Sequence, residues 1–320
     1  NQLKMPKVIV YRNILFFLLW LFLLNLCIGF YGSMKNADGS KSTSINYIVQ
    51  DKEIVKNSSK YGTVDYISKA REMIDIFKKY DFTIDSFIKD QSANLIIFSS
   101  LPKDFMDINS VSERKNLFIN TLLPIAFIEN LKILDDRKRI LDWWRQSNGE
   151  TYQREFWPSW LYNVSDKYDY EGSNIGELLM RVDIVPLSLA LAQAAIESGW
   201  GTSRYLREGN ALYGQYTFDK SLGLKPQDRD KGKDFYVRKF INLSDSTRSY
   251  LKNINTHNAY VKFRQERGTL RMNGDTLTGL SLSRFLDNYS ERRSAYVADI
   301  KTIIETNNFM KFDKVEGLIN

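Results

Sequence analysis

The stretch PLSLALAQAAIES, from Pro186 to Ser198, has no polar side to turn towards water. Proline suits the first turn of a helix, and Gly199 with Gly201 suits its end, so the segment predicts one helix over those residues. Leu187, Leu189, Leu191, Ile196 and the intervening alanines make that helix apolar nearly all round, so it needs cover on every side. The requirement predicts a mainly α chain folded around this helix. Spacing puts Ala190, Gln193, Ala194 and Glu197 on one face, and Glu197 is the sole carboxylate. Desolvation and the negative end of the helix dipole both disfavour its charged form. An acid that keeps its proton near neutral pH can act as a general acid. Alternatively Glu197 caps backbone groups or pairs with Arg204 or Arg207; helix chemistry alone leaves both uses open.

With 320 residues the chain is long enough for one large domain or a domain with an added layer. From Ile14 to Tyr31 only Asn25 is strongly polar, a run of 18 residues at the short end of what spans a bilayer. Lys4, Lys7 and Arg12 precede it, so the positive-inside rule leaves residues 1–32 as a cytoplasmic tip and anchor in the inner membrane, with the rest across it in the periplasm. No A-x-A site follows, and Leu26 is a poor neighbour for lipoprotein cleavage at Cys27; secretion after signal cleavage is the alternative. Residues 33–64 are rich in Ser, Asn, Lys and Gly and read as a polar linker reaching roughly 30 Å as a flexible coil.

Residues 65–160 then read as a helical extension and 161–320 as the domain that carries Glu197. AREMIDIFKKY suits a short amphipathic helix. RKNLFINTLLPIAFIENLKILDDRKRILDWW carries Phe118, Leu122, Ile125, Ile128, Ile133, Ile140 and Leu141, with Pro124 as a kink or break. ANLIIFSSLP reads as an extended piece.

Several chemistries are excluded early. The one cysteine, Cys27, lies in the apolar run, so the rest of the chain holds neither a disulfide nor a thiol nucleophile. The one histidine, His257, rules out a multi-histidine metal site and reads as a hydrogen-bonded structural residue. No metal and no cofactor is implied. A balance of 45 Lys and Arg against 38 Asp and Glu gives +7, which suits a membrane surface, an acidic polymer or simply a solvated exterior. No Lys/Arg run stands on a recognisable nucleic-acid module, so no nucleic-acid partner is expected.

AAIESGWGTSRYLREGNALYGQYTF resembles the signature of the glucosaminidase family, glycoside hydrolase family 73: a Glu ending a helix, Gly-Trp-Gly after it, and an Asn-x-(Phe/Tyr)-Gly turn downstream. VRKFINLSDSTRSYLKNINTHNAYVKFRQERGTLR and LDNYSERRSAYVADIKTIIETNNF, with FINTLLPIAFIENLKILDDRKRIL upstream, are similar to the Bax-type branch of that family. The resemblance covers about residues 110–310. It implies a lysozyme-like helical domain with a small irregular or β lobe, preceded by a helical layer. The implied activity is that of an endo-β-N-acetylglucosaminidase acting on peptidoglycan glycan strands, at the β-1,4 bond between N-acetylglucosamine and N-acetylmuramic acid.

Within the resemblance Glu197 matches the family's general acid, and Tyr289 matches a tyrosine placed near the reacting sugar. Ser290 reads as the N-cap of a helix with Tyr296, Ile300, Ile303 and Ile304 in its apolar stripe, which puts Tyr289 at a helix mouth with its hydroxyl free to face a groove. Trp200, Tyr213 and Tyr216 are candidates for stacking on sugar rings, while Asn210 and Gly214 shape the turn that closes the site. Some members carry a second acid on the loop that here reads FDKSLGLKPQDRDKGKDFYVRKF, with Asp219, Asp228, Asp230 and Asp234 available and Asp230 the first choice. Retaining, inverting and substrate-assisted routes stay open, since they differ in carboxylate separation or dispense with the second acid. Two other functions fit the same residues: a catalytically silent, membrane-tethered wall-binding protein, or a lytic transglycosylase.

Overall fold

A computed structural model describes residues 56–58, 61–90, 95–147, 153–226 and 234–317. The proposed anchor at 14–31 and most of the linker lie outside the described residues. The described chain is mainly helical, as the apolar segment demands. The central helix runs Leu187–Ser198 and is buried without a break from Leu187 to Ala195. The long helix Val111–Gln146, the helix Ser294–Thr306, the C-terminal helix Met310–Gly317 and the short helix Gly279–Ser283 all pack on it. Each of its buried leucines contributes about 1.5–3 kcal/mol through burial. Gly199 stops the helix in the left-handed region (φ 58°), where a Cβ would be strained. Behind it Ser198 closes the turn: its Oγ accepts from Gly201 N at 3.2 Å, and its carbonyl accepts from Ser203 N at 2.8 Å.

The long helix spans 36 residues and is N-capped by Ser110, whose Oγ accepts from Glu113 N at 3.2 Å. Among the described residues it alone is long and apolar enough to cross a bilayer, yet most of that apolar length is buried against neighbouring helices. Pro124 does not break it. The proline removes one donor to the Asn120 carbonyl, and apolar residues buried on both sides of it, Leu122 to Ile128, hold the helix through the defect.

Ahead of the long helix lie the helices Ala70–Lys79 and Ile84–Asp90 and a three-stranded sheet. In that sheet Tyr61–Val64 pairs antiparallel with Lys56–Ser58 and parallel with Ile96–Phe98, the piece expected to be extended. Edge-to-face rings tie this layer together and carry it onto the long helix: Phe77 meets Phe98 within it at 5.2 Å, and Phe87 meets Phe127 of the long helix at 5.0 Å between centroids. Phe105 closes over the turn after the central helix, its ring 2.5 Å from where a Cβ at Gly201 would stand. One hydrophobic core runs from Val64 to Phe312 without a break between the layers. A second small sheet, with Tyr236–Arg238 between Tyr216–Thr217 and Gly223–Leu224, forms a β lobe beside the C-terminal end of the central helix.

The chain entering the central helix is pinned by a buried charge cluster. Asp183, 2% exposed, receives Arg271 in a bidentate pair (2.6 and 3.0 Å), with Arg137 at 3.6 Å and Arg267 at 3.9 Å. The spare guanidinium donors go to the carbonyls of Leu179, Met180, Val182 and Ile184. Burial alone would raise the Asp183 carboxyl; the three guanidinium charges outweigh it and hold the group well below the usual carboxylate range.

Candidate active site

Glu197 occupies the last turn of the central helix, half-buried, one residue before the chain turns away. The Tyr296 hydroxyl donates to its Oε1 at 2.8 Å. Behind Tyr296, Gln193 Nε2 donates to the tyrosine oxygen at 3.0 Å, and the Tyr250 hydroxyl donates to Gln193 Oε1 at 2.6 Å. On the other side, a Cβ built at Gly214 would stand 3.1 Å from Oε2. Burial raises the Glu197 carboxyl above its ordinary value, against the Tyr296 hydrogen bond and the positive charge of Arg292, both of which favour ionisation. Arg204 pairs instead with Glu208 at 3.1 Å and with the Lys225 carbonyl, so the acid is not held by the cation expected as its alternative partner.

Tyrosines wall this carboxyl. Tyr213 lies flat on Tyr250, with centroids 3.9 Å apart and planes within 5°. Tyr289 lies parallel to Tyr296 at 5.6 Å, and its hydroxyl donates to the Tyr213 carbonyl at 3.0 Å. The Tyr289 hydroxyl therefore faces protein and ties two walls of the site together. The helix after it runs Ser294–Thr306, and its first turn is preceded by Arg293 at φ 46°; Ser290 belongs to the turn before it and is not the N-cap. Helix periodicity placed the stripe, and the strained Arg293, a local backbone choice with no sequence pattern, set the later start.

The remaining candidates fall in two groups. Asn210 ends the helix Arg204–Gly209 in the left-handed region, and its amide donates to the carbonyls of Phe240 (3.3 Å) and Ile241 (3.1 Å), which fixes the turn leading to Tyr213 and Gly214. Gly214 has φ 62° and leaves room for the carboxyl. Tyr216, on the edge of the β lobe, is 66% exposed and rests edge-on against Phe235 at 4.8 Å. Burial of part of its ring, then the charges of Glu197 and Glu291, raise its hydroxyl, which places it in the field of both acids. Trp200 is turned elsewhere: its indole packs between Phe118 (5.8 Å) and Phe309 (6.2 Å), with the Lys115 ammonium 4.4 Å above it. Asp228 and Asp230 lie outside the described residues. Asp219 is committed to its own turn, accepting from Ser221 N at 2.8 Å and Ser221 Oγ at 2.7 Å. His257 caps the turn Asn258–Tyr260, its Nδ1 accepting from Ala259 N at 3.2 Å.

Residues 173–309, which contain the acid, the tyrosine cage and the β lobe, match the family described as Mannosyl-glycoprotein endo-beta-N-acetylglucosaminidase. The chain is also 30% identical over 217 residues to Protein bax of Escherichia coli (strain K12), covering 65% of this chain and 74% of that one. The chain belongs to the glucosaminidase family. No solved structure matches it. Within this glucosaminidase fold, sequence reading put Gln193 on the face of Glu197 but missed Tyr250 and Tyr296, and with them the chain of donors that runs through the glutamine. A signal for that chain was available: Gln193 is the only amide on this helix, and a buried amide requires partners. Tyr296 read as part of an apolar stripe, because its ring is core while only its hydroxyl reaches the carboxyl.

Proposed function

We propose that this chain is a peptidoglycan hydrolase, an endo-β-N-acetylglucosaminidase that cleaves the β-1,4 bond between N-acetylglucosamine and N-acetylmuramic acid. The observation that carries the reading is Glu197: a half-buried carboxyl, raised by burial, with one oxygen held by Tyr296 and the other open beside Gly214. A protonated Glu197 gives its proton to the glycosidic oxygen as the bond to the anomeric carbon breaks, and water completes the hydrolysis. Tyr216, exposed and close to the acid, offers a ring face for a sugar. Tyr289 acts by holding Tyr213 and Tyr296 in place, and Asn210 by fixing the turn. Asp230 is the proposed second carboxylate. Residues 14–31 would hold the enzyme on the inner membrane with its site in the periplasm.

The test is digestion of purified peptidoglycan, with the products read by mass spectrometry. The expected products end in a reducing N-acetylglucosamine, and Glu197→Gln yields none. Anhydro-muramic ends would make the protein a lytic transglycosylase. Binding of the wall without cleavage would make it a tether.

A further inference from the structure

The donors behind Glu197 run in one direction. The Tyr250 hydroxyl donates to Gln193 Oε1, so the amide nitrogen faces Tyr296 and donates to its oxygen. A tyrosine hydroxyl has one proton, and with its oxygen accepting from Gln193, Tyr296 sends that proton to Glu197 Oε1. Oε1 is thereby committed as an acceptor. We propose that Gln193 and Tyr296 are positioning residues that keep the transferable proton of Glu197 on Oε2, the oxygen open beside Gly214. The proposal rests on the reading of Glu197 as general acid.

A proton on Oε1 would point at a hydroxyl whose own proton points back. Relieving that clash means reversing every link: Tyr296 would donate to Gln193, the amide would turn over, and the Tyr250 proton would need a new acceptor. The last step is blocked. Gln193 and Tyr250 are 0% exposed and Tyr296 is 1% exposed, so bulk water supplies no partner, and the Tyr250 ring is clamped flat on Tyr213. The arrangement also explains why a glycine stands at 214: any side chain there would crowd the oxygen that must reach substrate. The other groups that act on this carboxyl are Arg292 from the turn before the helix Ser294–Thr306 and the hydroxyls of Tyr216, Tyr250, Tyr260, Tyr289 and Tyr296. Burial raises all of those hydroxyls, so they stay protonated while the Glu197 carboxyl titrates.

The experiment titrates the side-chain carboxyl of Glu197 by carbon-13 NMR in the full chain, the signal being identified by its disappearance in Glu197→Gln. Tyr296→Phe removes a bond that favours the ionised form, so the midpoint should rise by about one pH unit. The basic limb of kcat on peptidoglycan should move with it, kcat at the optimum should fall about tenfold, and KM should stay level, since the buried hydroxyl meets no substrate. Gln193→Met should shift the midpoint the same way by less. The double variant should match Tyr296→Phe alone, because the glutamine acts only through the tyrosine. Unmoved midpoints in both single variants, or additive shifts in the double, would overturn the proposal. Should Tyr296→Phe fail to fold, an unmoved midpoint in Gln193→Met does the same. A Glu197→Gln protein that still cleaves would instead remove the acid assignment, and the titration would continue to report on the chain of donors.

Discussion

Gly214 and Glu197 share one space: a methyl group added to the glycine would stand 3.1 Å from the carboxyl's Oε2, on a backbone already at φ 62°. Gly214→Ala should therefore remove nearly all activity. The strained φ should cost about 1–2 kcal/mol of stability. Thermal unfolding and turnover measured together separate the two effects. A variant that unfolds earlier but keeps its kcat would show that the open oxygen is not the one used.

Glu197→Gln should lose at least the 10²-fold to 10⁴-fold that general acid catalysis typically contributes. Stability should change with pH in a defined sense. A carboxyl raised in the folded state stabilises fully below its unfolded value of about 4.3, and that contribution is lost as pH rises through the folded value. The variant should thus overtake the wild type in denaturant midpoint as pH climbs past about 4. Parallel curves from pH 3 to 8 would mean that burial does not weigh on this acid.

If Tyr216 stacks on a sugar as proposed, Tyr216→Ala should raise KM for glycan strands several-fold and leave Tm unchanged, because the exposed ring adds little to the core. Trp200→Ala is the contrast. Its ring fills the space between Phe118 and Phe309, so it should cost about 3–5 kcal/mol in folding before any effect on KM is seen. Equal Tm losses in the two variants would contradict that division.

Asp183→Asn should destabilise by about 3–5 kcal/mol at neutral pH, since it leaves Arg137, Arg267 and Arg271 buried without their counter-charge. The Asp183 carboxyl is depressed in the folded state, so its contribution is present above its unfolded value of about 3.9 and is lost as pH falls. The gap between variant and wild type should narrow below about pH 4. Denaturant titrations at pH 7 and pH 3 measure both numbers, and a gap that stays constant would remove the ion cluster from the account.

The central helix was legible because its sequence carries its own ends, Pro186 and Gly199, and a composition that only full burial satisfies. Glu197 stood out for the same reason, as the one charge on that helix, while its use did not: helix chemistry alone left a cap, an ion pair and a general acid open. Of the tyrosine cage, the resemblance named only Tyr213 and Tyr289. Tyr213, Tyr250, Tyr289 and Tyr296 are brought together by tertiary packing, and nothing in local spacing says that a hydroxyl on the helix Ser294–Thr306 will meet a carboxyl roughly a hundred residues earlier. The charge cluster on Asp183 was hidden likewise: Arg137 on one helix and Arg267 and Arg271 on another lie far from it in sequence, and only the fold turns them inward.

Phe105 comes from the layer ahead of the long helix, yet its ring is the lid of the Gly-Trp-Gly turn that ends the central helix. A fragment trimmed to the family-matched residues would leave that turn uncapped and present the vacated seat to solvent. The layer is therefore a cover that the turn cannot do without, and removing it should lower the stability of the remainder before any residue near Glu197 is touched.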